Sequence, residues 1–178
     1  MHKHGVYYVL YLEIHNKEKL RMHPEKKFMR MAIDKAMEGV DKGQSPFGAC
    51  IVKNGEVIAC DHNIVLLSTD ITAHGEINAI RNACKKLDNI QLNDCVIYST
   101  CEPCPMCFTA IHWARINKII FGARIEDAER FGFNELRVSN FHLKEKGGSK
   151  VEIHSDFMRD ECVKLFEYWD SKKYKITY

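Results

Sequence analysis

The sequence predicts an α/β protein in three layers, with helices on both faces of one mixed sheet. Three observations carry that expectation. A helical stripe of apolar residues precedes a β-hairpin marked by Asn54-Gly55. Short apolar runs then alternate with longer segments of helical period. The chain has 178 residues, 46% of them hydrophobic, which is enough for one domain around a single core. The order helix, hairpin, helix, strand, helix, strand, helix is one that a sheet covered on both sides satisfies.

Each element has its own signal. From Pro24 to Lys42, Phe28, Met31, Ala32, Ala36 and Val40 form a helical stripe, and Gly43 closes it. Phe47 to Lys53 is rich in small and β-branched residues, and Val57 to Cys60 returns as the second strand of the hairpin. A loop is expected over Asn63 to Thr72. A second helix is expected from about Ala73 to Leu87, with Ile77, Ile80, Cys84 and Leu87 on one side. Cys95 to Ser99 reads as a buried strand, Pro105 opens a helix through Arg115, and Lys118 to Gly122 is a further strand. Beyond it, Glu126 to Phe131 reads as a short helix and Lys144 to Lys150 as a polar loop. Ser155 to Lys172 reads as a closing helix with Met158, Cys162, Leu165, Phe166 and Trp169 inward.

The domain is expected to span residues 22–178. His23-Pro24-Glu25 after Met22 is a good helix start. Residues 1–21 are then an N-terminal extension of unassigned role. Its apolar run, Val6 to Leu12, ends at Glu13 with no small-residue cleavage site and is too short to span a bilayer. It is either an extra strand or a segment outside the fold.

Charge and cysteine usage narrow the function. Net charge is +2, from 26 basic and 24 acidic residues with the signs interspersed, so no nucleic-acid partner is demanded and none is expected. No membrane association is expected either. Of eight cysteines, Cys50, Cys60, Cys84, Cys95 and Cys162 sit within apolar strand or helix patterns, where cysteine acts as a small hydrophobe. Cys101, Cys104 and Cys107 are clustered, which points to metal in a reducing compartment and hence to the cytoplasm.

The chemistry lies in two short motifs, His74-Gly75-Glu76 and Pro103-Cys104-Pro105-Met106-Cys107. Either alone is modest. Together, each at a helix start, they match the zinc deaminase signature His-x-Glu…Pro-Cys-x-x-Cys. Cys104 and Cys107 are three apart, so both thiolates of a first helical turn reach one point. His74 and Glu76 cannot share a lateral helix face, but both can reach a site off the helix end. Helix N-termini carry partial positive charge and free N–H groups, which favours thiolate over thiol.

One neutral histidine and two thiolates give zinc three protein ligands and leave a fourth place for water, the pattern of a catalytic site. Glu76 is then the proton carrier beside that water. The bland readings are a helix-start histidine and a first-turn carboxylate, and the cysteine pair outweighs both. Cys101 leaves open a four-ligand structural site in a non-catalytic binding module, which would give Glu76 no purpose. An iron–sulfur run fails because position 111 is Ile111 rather than cysteine. Trp113, Phe47 and Tyr178 would be anonymous on these grounds alone, with Trp113 read as core.

From about Met22 onward the chain resembles the cytidine deaminase-like superfamily. The resemblance rests on Thr72-Ala73-His74-Gly75-Glu76-Ile77-Asn78-Ala79 and on the run from Ser99 to Cys107. Within the superfamily it is most similar to bacterial-type guanine deaminases. That rests on Trp113-Ala114-Arg115, on Gly132-Phe133-Asn134-Glu135, and on Trp169 followed by Lys175-Ile176-Thr177-Tyr178. The resemblance implies a mixed five-stranded sheet between helices, one Zn2+ per chain, and hydrolysis of guanine to xanthine and ammonia. It implies that Cys101 is not a ligand. It also implies that Phe47 stacks on the base, Asn63 hydrogen-bonds its edge, Trp113 forms an apolar wall and Glu135 recognises the ring N–H and amino side. Gly75 would offer its backbone N–H to substrate.

Tyr178 would close the pocket of a partner chain in a homodimer exchanging C-terminal segments. Gly75 departs from the usual alanine of the family, and the missing methyl is expected to enlarge the site slightly. Other substrates on the same fold are adenosine in tRNA, guanosine, cytosine and triazines.

Overall fold

A computed structural model of the protein describes residues 23–178, so the Val6–Leu12 run lies outside the described residues. The chain begins with helix α1 (Lys26–Asp41), hairpin strands β1 (Gly48–Lys53) and β2 (Glu56–His62), and a single helical turn, α2 (Val65–Ser68). Helix α3 (Gly75–Leu87), strand β3 (Cys95–Cys101), helix α4 (Pro105–Trp113) and strand β4 (Lys118–Ala123) follow. The chain then forms α5 (Ile125–Glu129), α6 (Asn140–Gly147), β5 (Glu152–His154) and α7 (Arg159–Asp170). No helix among the described residues is long and apolar enough to cross a membrane.

The sheet has five strands in the order β2-β1-β3-β4-β5. The hairpin and the β1–β3 pairing are antiparallel, and β3–β4 and β4–β5 are parallel. The hairpin turns at Asn54 and Gly55, both at positive φ (52° and 81°), the type I′ geometry that matches strand twist. Side chains alternate across the sheet and build two cores. On one face, Cys50, Tyr98 and Ile120 pack against Phe28 and Met29 of α1 and Phe166 and Trp169 of α7. On the other, Ile51, Ile97, Ile119 and Phe121 pack against Ala79 and Ala83 of α3 and Ile111 of α4. The three-layer sandwich around a mixed five-stranded sheet is therefore the observed fold.

Several details differ from the sequence expectation, each for a physical reason. On a helix turning about 100° per residue, Phe28, Ala32, Ala36 and Val40 span an arc of about 120°. Met29 falls inside that arc and is fully buried; Met31 falls outside it and is 41% exposed. The segment from Lys144 to Lys150 is not a loop throughout. It ends α6, which starts where Ser139 Oγ accepts the His142 N–H at 3.2 Å and stops at Gly148 in left-handed geometry. The fifth strand is three residues long, too short for its sequence to carry a period. The closing helix begins at Arg159, after Met158 in left-handed geometry.

Candidate metal and active site

The site forms where the N-termini of α3 and α4 converge beyond the end of β3. His74 and Cys104 are the N-caps of these helices, and both have extended backbones (ψ 158° and 166°) that turn the side chain across the helix end. Pro105 fixes the first residue of α4, where its missing N–H costs nothing. His74 Nδ1 lies 3.7 Å from Cys104 Sγ and 3.6 Å from Cys107 Sγ. Two buried bonds hold the loop before Cys104. The Asn140 amide group donates to the Pro103 carbonyl at 2.5 Å, and the Asn140 backbone N–H donates to Glu102 at 2.7 Å.

Glu76 is buried in the first turn of α3. Its carboxylate accepts a hydrogen bond from Ser99 Oγ at 2.8 Å, and Cys107 Sγ lies 3.5 Å from its other oxygen. Burial raises the Glu76 pKa above the usual carboxylate range, opposed by the charge of His74. Cys104 is held down to about 4, first by the hydrogen bond from Cys107 and then by His74, against the cost of burial. Cys107 moves the other way, because it donates to Cys104 and is buried.

These residues fit zinc. Zinc arms of about 2.0–2.3 Å in a tetrahedron set ligand atoms about 3.3–3.8 Å apart, and the observed separations of 3.6 and 3.7 Å fall in that range. His74, Cys104 and Cys107 form the candidate metal group among the described residues. Cys101 stands apart, with its buried thiol directed to the Arg124 carbonyl at 3.6 Å. The four-ligand structural site therefore finds no support in the geometry.

The other expected residues divide into those that gather at this site and one that does not. Asn63 is fully buried. Its Oδ1 accepts the Val65 N–H at 3.1 Å, and its Nδ2 donates to Tyr178 Oη at 2.5 Å. The Tyr178 ring centroid is 6.2 Å from that of His74 and 6.4 Å from that of Phe133. The tail thus reaches the pocket of its own chain. Burial pushes the Tyr178 phenol up to about 12.

Glu135 is half-buried and raised to about 7, by burial first and then by the negative charge of Cys104, with His74 opposing. Phe47 is half-buried and stands edge-on to Phe133 and Phe166, at 4.9 and 5.6 Å. Trp113 is neither core nor pocket wall in this chain. It is the last residue of α4, the helix end away from the cysteines, and is 71% exposed.

Gly75 also corrects an expectation. A Cβ there would lie 3.2 Å from Gly48 Cα and from the Phe47 carbonyl oxygen. The missing methyl therefore eases the packing of α3 on the start of β1 and does not widen the pocket. Ser99, which donates to the Glu76 carboxylate, is not singled out by the motifs. The period-two pattern of β3 was the available signal, since it puts Ser99 on the α3 side with Cys95 and Ile97.

Two helix starts, three ligand atoms and a buried carboxylate define a zinc deaminase site. The family described as cytidine and deoxycytidylate deaminase zinc-binding region matches residues 22–123, and the chain belongs to that family. Its cofactor is zinc, and its class is hydrolytic deaminase. The chain is 50% identical over 109 residues to the guanine deaminase of Bacillus subtilis, covering 61% of this chain and 70% of the relative. It is 34% identical over 153 residues to a tRNA-specific adenosine deaminase of Buchnera aphidicola, covering 86% and 92%. Among solved structures, the X-ray structure of guanine deaminase from Bacillus subtilis superposes with a TM-score of 0.61 at 38% identity, covering 88% of this chain and 99% of that one.

Proposed function

We propose that this protein deaminates guanine to xanthine and ammonia, with His74, Cys104 and Cys107 holding one zinc ion and Glu76 carrying the protons. The observation that carries the substrate assignment is the closure of the pocket by the chain's own tail, through the bond between Asn63 and Tyr178. A mouth covered by the Tyr178 ring suits a free base and obstructs a polynucleotide. Zinc, when bound, lowers the pKa of a water molecule and so supplies the attacking nucleophile at neutral pH.

Glu76 would carry two protons, the first from the attacking water to the ring nitrogen beside the amino-bearing carbon and the second from the hydroxyl added at that carbon to the departing amine. Its raised pKa suits a group that must both accept and give a proton. Ser99 fixes one carboxylate oxygen and leaves the other for this transfer. Glu135 accepts from the N–H-rich side of guanine, Asn63 and the Gly75 N–H bind the base edge, and Phe47 supplies an apolar wall. Adenine presents a lone pair where guanine presents an N–H, and an unpaired buried group of this kind costs about 1–3 kcal/mol.

The catalytic unit in this reading is residues 22–178, with residues 1–21 as an extension. The family match from residue 22 supports that boundary. A cytoplasmic homodimer completes the proposal.

One observation favours a second reading, deamination of adenosine in tRNA: the tRNA-specific relative is covered over more of its length than the guanine deaminase is. Ammonia release from zinc-loaded protein on guanine, guanosine, adenine, adenosine, cytosine, cytidine, a triazine and a tRNA anticodon arm separates the two. Fastest turnover of guanine is expected, and faster turnover of the tRNA arm or of cytosine would overturn the assignment.

A further inference from the structure

Five of the cysteines lie outside the metal site and outside its motif, and two of these face each other across the hairpin. Cys50 of β1 and Cys60 of β2 are direct register partners. The type of pair follows from the backbone bonds. The Asn63 N–H donates to the Phe47 carbonyl at 2.9 Å, so Phe47 and Asn63 are a hydrogen-bonded pair. Pairs alternate along an antiparallel ladder, and the register is unbroken from Gly48 to Ile51. Cys50 and Cys60 therefore form a non-hydrogen-bonded pair.

Two other bonds agree with that phase. The Gly48 N–H turns away from β2 to Thr100 Oγ1 at 3.0 Å, and the His62 carbonyl turns outward to accept from Asn78 at 3.0 Å. Non-hydrogen-bonded partners have Cα atoms about 4.5 Å apart, and disulfides span Cα separations of about 4.4–6.8 Å. The backbone is already spaced for a bond between them.

We propose that Cys50 and Cys60 are a modification site, a dithiol that a small disulfide or peroxide oxidant converts to a cross-strand disulfide. The two thiols have different parts. Cys60 lies on the edge strand, is half-exposed, and sits beside Met31 and Lys35 of α1. Cys50 is fully buried on the strand inside it, whereas the Cys60 thiol donates to the Met31 carbonyl at 3.4 Å; the neighbouring Cys50 lowers the Cys60 pKa, with Lys35 adding to the effect and burial, Asp61 and Asp34 opposing it. Cys60 is therefore the attacking sulfur and Cys50 the resolving one.

With oxidised glutathione the Cys60 thiolate attacks one sulfur and expels a glutathione thiolate. Cys50 then gives up its proton, attacks the Cys60 sulfur and expels the second. Two protein thiols are oxidised by two electrons, and one glutathione disulfide is reduced to two thiols. The new bond ties the hairpin three residues from Phe47 and three from Asn63.

Peptide mapping of the zinc-loaded protein tests this. The protein is treated with oxidised glutathione, its remaining thiols are blocked, and it is cut with trypsin without reduction. Cleavage after Lys53 separates the two cysteines. The expected product is a linked pair of peptides spanning 43–53 and 54–81, lighter by two hydrogens and lost on reduction, with zinc content unchanged. Cys84→Ser should leave the link intact and Cys60→Ser should abolish it; the wild-type map decides alone if the second variant fails to fold. Recovery of both cysteines as free thiols, a stable glutathione adduct on Cys60 beside free Cys50, or a link that appears only after zinc is lost would overturn the proposal.

Discussion

The two helix starts that hold the metal and the later segments that enclose the pocket are built by different means. His74, Glu76, Cys104 and Cys107 come from two first turns, and each pair is fixed by helix geometry over two or three residues. Glu135 comes from a loop, and Tyr178 comes from a tail brought in across more than a hundred residues by its bond with Asn63. The first region carries the chemistry common to a superfamily, and in the proposed reading the second sets substrate identity. A short motif thus tells a reader the reaction before it tells the substrate.

Substitutions in the first region should have the larger effects. Cys104→Ala is expected to abolish both zinc binding and turnover, measured by elemental analysis and ammonia release, since metal affinity depends on each thiolate. Full zinc occupancy in that variant would contradict the ligand assignment. Glu76→Gln should keep zinc and melting temperature while losing about 10²–10⁴-fold in turnover. Near-wild-type turnover would remove Glu76 from the proton path.

The second region should respond differently. Glu135→Gln is expected to lower kcat/KM for guanine by about 5–100-fold, the equivalent of about 1–3 kcal/mol, with zinc content unchanged. The pH profile sharpens this. Glu135 is raised to about 7, so it is protonated at lower pH and stops accepting. Preference for guanine over adenine should therefore weaken as pH falls through that region in the wild type and stay flat in Glu135→Gln. Zinc neutralises the Cys104 charge that helps raise Glu135, so the zinc-loaded midpoint should lie below 7. The smallest effect is expected at Trp113. Its exposure predicts a stability change within about 0.5 kcal/mol for Trp113→Ala, read from the melting transition.

The same contrast explains what the sequence disclosed. The metal ligands and Glu76 were legible because their spacing is itself the geometry. The hairpin was legible because Asn54-Gly55 is a local code for positive φ at both positions. Helix α6 was not, because its stability rests on Ser139 at one end and on Asn140, whose buried bonds run to Glu102 and Pro103 nearly forty residues away. Met29 and Met31 have the same chemistry, and only the angle of the stripe separates core from surface. The Gly75 methyl was assigned to the pocket from sequence, whereas its space faces β1, a contact between elements that no local pattern records.

The division between chemistry and selection is tested most directly by measuring zinc content and guanine kcat/KM together on a chain shortened to end at Tyr174. The account predicts one zinc per chain and a fall of about tenfold or more in kcat/KM, since Asn63 loses its partner and the pocket its cover. Guanine turnover equal to that of the full chain would contradict it, as would loss of zinc with the tail.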